Sequence, residues 1–192
     1  MNNLIPLFLS ALPLFLATHA LAQQQSFKID PQSSEVAFSL SDVLHSVHGV
    51  FHVQSGVVDF DPGVSKISGS VVVAAGSGNS GNETRDKKMS KDILDVPHFA
   101  DILFVPRSYQ GTIAASGDAT IQVTGTFTLH GLSHELTVPT QIHMDGTICT
   151  AKAHFAVPYV KWGLKDPSTF ILRVGKEVEI DLTLTGRVSP AT

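Results

Sequence analysis

The chain has 192 residues, 43% hydrophobic and 16% charged, with 13 Lys and Arg against 17 Asp and Glu and a formal net charge of -4. That is one domain's length, and the acidity, with 15 Gly and 10 Pro scattered along the chain, argues against a nucleic-acid binder and against a long helical or low-complexity protein. The single cysteine, Cys149, excludes an intramolecular disulfide and any CxxC redox or zinc pair.

The first element in chain order is an uncharged run, Leu4 to Ala17 (LIPLFLSALPLFLA). It is shorter than the ~20 residues of a spanning helix, and Pro6 and Pro13 interrupt it. Small residues at Ala20 and Ala22 give an A-x-A site, so the run reads as a secretory signal peptide over residues 1–22, cleaved before Gln23. Its n-region, Met1-Asn2-Asn3, offers only the α-amino charge, and with no Cys after the run a lipoprotein signal is excluded. The expected mature domain is 23–192. It keeps all the charge, carries no membrane span and is periplasmic or secreted.

From Phe27 onward the pattern has period two. Thr120 to Leu129 alternates Ile121, Val123, Gly125, Phe127 and Leu129 with Thr and Gln, and Val178, Ile180, Leu182 and Leu184 alternate with acidic residues and Thr. Looser alternation occurs at Val36/Phe38/Leu40, Phe51/Val53, Val71/Val73, Ile102/Phe104, Leu136/Val138/Ile142 and Cys149/Ala151/Ala153/Phe155/Val157. Turn signals such as Asp61-Pro62-Gly63, Ser116-Gly117-Asp118 and Asp145-Gly146 separate these runs into roughly eight strands. Between them, Gly76 to Asn82 reads as a flexible loop and Glu83 to Leu94 as a short helix across one end of the sheet. Asn82 is its N-cap, and it ends by Val96 ahead of Pro97. The fold class is all-β and antiparallel, either a filled sandwich or a barrel that holds a ligand. Cys149, Ala151, Ala153 and Gly125 fill little volume at inward parity, which favours close sheet packing or an occupied cavity.

Four segments carry a family resemblance. Ile29-Asp30-Pro31 with Ser34, Val36 and Phe38 comes first, and Asn82-Glu83-Thr84-Arg85-Asp86 with Asp92 to His98 and Ile102-Leu103-Phe104 second. Val123 to Gly131 follows, then Gly163-Leu164 with Glu177-Val178-Glu179-Ile180. Together they resemble, in order, the YceI-like, polyisoprenoid-binding family over residues 27–188. The resemblance implies a lipocalin-like, eight-stranded antiparallel β-barrel with a long pore. It also implies secretion or periplasmic residence, and an isoprenoid quinone, polyprenyl phosphate or fatty amide as ligand, with no cofactor. The chain departs from the family at Ser41-Asp42, where a basic-His pair is usual, and at Pro158 to Gly163, where an Arg is frequent, so either a head group is held differently here or the ligand differs.

The expected pore lining is Val36, Phe38, Leu40, Phe51, Val53, Ile102, Phe104, Phe127, Ile142 and Phe155, with Trp162 near a mouth; each is also an ordinary core residue. Arg85 is the head-group candidate, or else, with Asp86, a tie between helix and barrel. His45, His48 and His52, and the pair His130 and His134, raise a histidine-dependent metal-binding or sensory role as the alternative, against a structural role on strands and turns. No GxSxG, P-loop or paired-carboxylate pattern points to an enzyme. Members of the family often dimerise, and the hairpin over residues 145–157 offers an edge for a homodimer.

Overall fold

A strand with alternating apolar and polar residues has one face to hide, and a sheet of such strands hides it by closing on itself. The computed structural model, which describes residues 23–41, 46–169 and 173–191, does this. Residues 1–22, expected to be a signal peptide, and His45 lie outside the described residues. The strands are β1 (Gln25–Ile29), β2 (Glu35–Ser41), β3 (Ser46–Phe51), β4 (Val53–Asp61), β5 (Lys66–Ala74), β6 (Asp101–Gln110), β7 (Gly117–Leu129), β8 (Leu132–Asp145), β9 (Ile148–Val157) and β10 (Val178–Pro190). All pairs are antiparallel, and β1 meets β10 to close the ring. No helix among the described residues is long and apolar enough to cross a membrane.

The ten segments make an eight-stranded closed barrel because two of its staves are broken. β10 pairs with β1 through Gly186 to Pro190 and with β2 through Glu179 to Thr183, so β1 and β2 are halves of one stave. β4 and β3 pair with those halves in turn and are separated only by His52. The first break is built by the Asp30-Pro31 segment. Pro31 has no N–H for the ladder, and Asp30 caps a 3-10 turn over Pro31–Ser33, its carboxylate accepting from Gln32 N–H (3.0 Å) and Ser33 Oγ (2.7 Å). Those bonds hold the Asp30 carboxyl below its usual range, the Ser33 hydroxyl most. Ser34 Oγ donates to Asp30 O (2.7 Å) and accepts from Thr185 N–H (3.0 Å), which ties the kink to β10.

At one end of the barrel lie the turn regions after β4, β6 and β8, with the start of β1 and the end of β10. At the other lie the β2–β3 and β7–β8 hairpins and the two long connections, residues 75–100 and 158–177. The 75–100 connection carries α1 (Glu83–Lys88), which runs into a π-helical turn over Met89–Ile93. Asn82 is its N-cap, accepting from Arg85 N–H at 3.0 Å. At this helix end the β8–β9 ladder, regular from Asp145↔Ile148 to Thr140↔Ala153, stops, and Pro139, which has no N–H to donate, is the next residue. The chain after β9 turns back there as a helical turn (Trp162 N–H to Pro158 O, 3.0 Å; Leu164 N–H to Tyr159 O, 3.0 Å) and brings Trp162 onto His134. The hairpin over 145–157 is mostly paired: β9 pairs with β10 from Ile148 to Val157 and with β8 from Ile148 to Ala153, which leaves only His154 to Val157 without a ladder partner on the β8 side.

Candidate ligand cavity

The inward faces of the strands enclose a cavity of about 950 Å³ rather than a filled core. Its wall repeats the period of the sequence: Val36, Phe38 and Leu40 from β2, Ile102, Phe104 and Pro106 from β6, Leu136, Val138, Thr140, Ile142 and Met144 from β8, and Val178, Ile180, Leu182 and Leu184 from β10. Along β9 the wall is Cys149, Ala151, Ala153, Phe155 and Val157, and the small residues at three of these positions face Ile142 and Met144 across β8 and Leu182 and Leu184 across β10. Burial pushes the Cys149 thiol up from 9.0 to about 11, so it is a neutral wall group at ordinary pH.

Of the residues expected to line the pore, Val36, Phe38, Leu40, Phe51, Ile102, Phe104, Phe127, Ile142 and Phe155 do. Val53 does not. It is buried in the core beside a bulge between Val53 and Ser55, where the parity of β4 switches so that Val58 and Phe60 face inward instead. Trp162 also lies behind the wall, stacked on His134 with ring centres 4.2 Å and planes 4° apart, and 5.7 Å from Phe127. The stack leaves His134 Nε2 buried without a partner. Gly125 leaves no room and answers to the close-packing alternative. A Cβ there would lie 2.6 Å from both the Phe104 ring and the Val105 carbonyl oxygen, because the ring of Phe104 lies across the glycine.

Polar lining residues are gathered at the helix end, Thr140 apart. Ser80, Asn82, Thr84, Arg85, Lys88 and Asp92 come from the 75–100 connection, and Lys165, Asp166, Ser168 and Thr169 from the 158–177 connection. The helix presents Arg85, Lys88, Met89, Asp92 and Ile93 to the cavity, the spacing of one helical face, with cationic and apolar groups interleaved. At the opposite end the wall is Phe27, Phe60, Ile67, Ile113, Met144 and Cys149.

Arg85 and Asp86 hold the rim in place. Asp86 Oδ1 accepts from Ser80 N–H (3.0 Å) and from the Ser80 hydroxyl, while Arg85 donates through Nε to Ser80 Oγ (2.7 Å) and through Nη2 to Ser80 O (2.8 Å). Asn79 extends the tie to β3 by exchanging backbone hydrogen bonds with Val50, both 2.9 Å. Across the mouth, Tyr159 donates to Gly175 O (2.6 Å), and burial, then the Asp166 charge, pushes its phenol up to about 12. Asp166 itself is held below the usual carboxylate range by the Ser168 hydroxyl and N–H.

The histidines are placed structurally. His48 Nδ1 and Ser39 Oγ, cross-strand neighbours, are 2.9 Å apart. His130 and Gly131, both at positive φ, form the two-residue β7–β8 turn, and His130 packs on Phe99 at 4.5 Å. The ring of Phe99 fills the space a Gly131 side chain would need. Among the described residues no three His, Cys, Asp or Glu side chains gather as a metal site.

A closed up-and-down barrel around an apolar cavity with a polar rim at one end is the architecture of a protein that holds a small amphiphilic molecule. The family model for a YceI-like domain matches residues 27–186, and the chain belongs to that family. The fold is shared with BcnA of Burkholderia cenocepacia (21% identity, 82% of this chain and 99% of that chain covered, TM-score 0.67). It is shared too with a polyisoprenoid binding domain from Saccharophagus degradans (13%, 85% and 98%, TM-score 0.65) and the YCEI protein of Campylobacter jejuni (20%, 69% and 80%, TM-score 0.56). No curated protein matches the sequence.

Proposed function

We propose that this protein binds and carries, or stores, a long-chain amphiphile of the isoprenoid or fatty class in its barrel, without catalysing a reaction, after export to the periplasm or beyond the cell. The observation that carries the reading is the continuous apolar cavity of about 950 Å³ with its polar groups at one end. At ~30 Å³ per water- or methylene-sized group, that space accommodates a tail of up to about 30 carbons. Each buried methylene contributes ~0.8 kcal/mol against association costs of roughly 4–15 kcal/mol, so tails must well exceed ~10 carbons to be held firmly. The polyisoprenoid-binding domain of S. degradans, similar in fold, supports the isoprenoid class.

The test is mass spectrometry of an organic extract of protein purified from the exported fraction of its native cells. A near-stoichiometric long-chain amphiphile is expected, on a polypeptide beginning at Gln23. Protein purified without such a molecule, and unable to take up a C20 prenol afterwards, refutes the reading.

A further inference from the structure

We propose that the helix end of the barrel docks on an anionic membrane surface, so that the mouth of the cavity faces the bilayer that supplies or receives its amphiphile. The use of this dock rests on the carrier reading above, but docking itself is a property of the outer surface and is tested apart from it.

The charge of the chain is segregated. The two long connections at the helix end, residues 75–100 and 158–177, hold eight of the 13 Lys and Arg and six of the 17 Asp and Glu. The rest of the chain carries five cations against eleven carboxylates, so a protein of net charge -4 has one locally positive end. Burial sharpens the contrast. All eight cations are exposed, whereas Asp86, Asp95 and Asp166 are half-buried and drawn into contacts with Ser80, His98 and Ser168. Glu83 is paired with Lys87 at 2.7 Å, the only lysine ion pair among the described residues. Asp92 and Glu177 are then the exposed carboxylates left to oppose the other seven cations.

Apolar groups share that end. Leu132, the first residue of β8, is 48% exposed and lies against Gly163 of the 158–177 connection, where a side-chain carbon would stand 3.2 Å from Leu132 Cδ1. Its chain neighbour Trp162, the one tryptophan of the protein, is half-buried and is preceded by the exposed Lys161. An exposed leucine, a half-buried indole and lysines whose stems lie along an apolar phase suit a bilayer interface, where the ammonium groups meet lipid phosphates. An acidic protein would answer to the charge alone. The apolar cavity that opens among these cations answers to a bilayer, because contact lets a tail pass without bringing its apolar surface into water.

The experiment compares sedimentation of the intact mature protein with vesicles of phosphatidylcholine and phosphatidylglycerol, and with vesicles of phosphatidylcholine alone. At low salt the anionic vesicles are expected to bind at least about tenfold more tightly, a margin lost in ~1 M salt as the Debye length falls to about 3 Å. Bromine-labelled acyl chains should quench Trp162, which reports that the helix end is the face in contact. K91Q/K161Q/K176Q removes three cations that lie outside the cavity wall and should lose most of the margin. K28Q/K66Q/K152Q, equal to it in net charge, should keep the margin, and thermal melting checks that both variants fold. Equal binding to the two vesicles overturns the dock, as does a margin that survives in K91Q/K161Q/K176Q or binding that leaves Trp162 unquenched. Polyglutamate bound as tightly as anionic vesicles overturns the bilayer as partner. Uptake of geranylgeraniol from detergent micelles is measured beside these: uptake without docking leaves the cavity reading standing, and docking without uptake overturns that reading and leaves the dock.

Discussion

Filling the cavity from β9 separates a container from an ordinary core. Ala151 and Ala153 face the cavity, and each Ala→Phe exchange adds six carbons to the wall. At ~30 Å³ per carbon-sized group, the double variant Ala151→Phe, Ala153→Phe lowers the capacity of a cavity of about 950 Å³ from roughly 30 groups to roughly 18. A tail of ~15 carbons still fits, so its affinity should change little. A tail of ~25 carbons has about seven carbons excluded, a loss of ~5 kcal/mol at ~0.8 kcal/mol each, or more than a thousandfold in Kd. The unliganded variant should melt at or above the wild-type temperature, because the phenyl rings cover apolar wall that is otherwise unfilled. The assay is calorimetry with a series of amphiphiles sharing one head group and differing in tail length. Wild-type affinity should climb with length to about 30 carbons, and the variant's should level off about ten carbons sooner. A variant that is folded yet binds the longest tail as wild type does would refute the placement of the tail in this space.

Other expectations concern the frame. The Cys149 thiol moves from 9.0 to about 11 and the Tyr159 phenol from 10.0 to about 12 on folding, so the unfolded chain loses these protons first; stability is full below about pH 9 and falls as pH rises towards 12. Denaturant midpoints measured against pH should fall less steeply between 9 and 11 in Cys149→Ala and between 10 and 12 in Tyr159→Phe; parallel wild-type and variant curves would contradict the assignment. Trp162→Ala removes the stack on His134 and the contact with Phe127, a cost of about 3 kcal/mol in equilibrium unfolding. Ser34→Ala severs the bonds that hold the first kink to β10 and should cost about 1 kcal/mol while leaving tail affinity intact.

The barrel was legible because side-chain parity is a local property: a strand with Phe at 38 and Leu at 40 shows the same face whatever its neighbours. What was not legible is where parity breaks or where a neighbour intrudes. The bulge after Val53 reverses the inward set of β4, and nothing in Val-Gln-Ser-Gly announces it. Gly125 reads as a gap until Phe104, paired with Phe127 one step along the same face of the ladder, lays its ring over it. Trp162 reads from the sequence as a residue near a mouth, but its stacking on His134 depends on the β8–β9 ladder stopping after Thr140, which requires both strands at once. The mixed face of the helix was readable in principle from the spacing of Arg85, Lys88, Met89, Asp92 and Ile93. Judged by its apolar positions alone, the segment reads only as a short helix across the barrel end.

The segments that carry the family resemblance turn out to be joints. Asp30, Pro31 and Ser34 break the first stave and tie it to β10; Asn82, Arg85 and Asp86 fix the helix to its loop; His130 and Gly131 turn β7 into β8 beneath Phe99. Joints need particular side chains, since a cap, a missing N–H or a positive φ cannot be supplied by whatever residue has the right hydrophobicity. A cavity wall needs only apolar groups of about the right size, and a rim needs only its charge. Such a motif set therefore specifies the container and says little about its contents. Under the proposed function, the length of the tail is set by unremarkable positions such as Ala151 and Ala153, which line the cavity and belong to no motif. Two chains that share every joint can thus hold different molecules, and the difference is to be sought in the wall of β9.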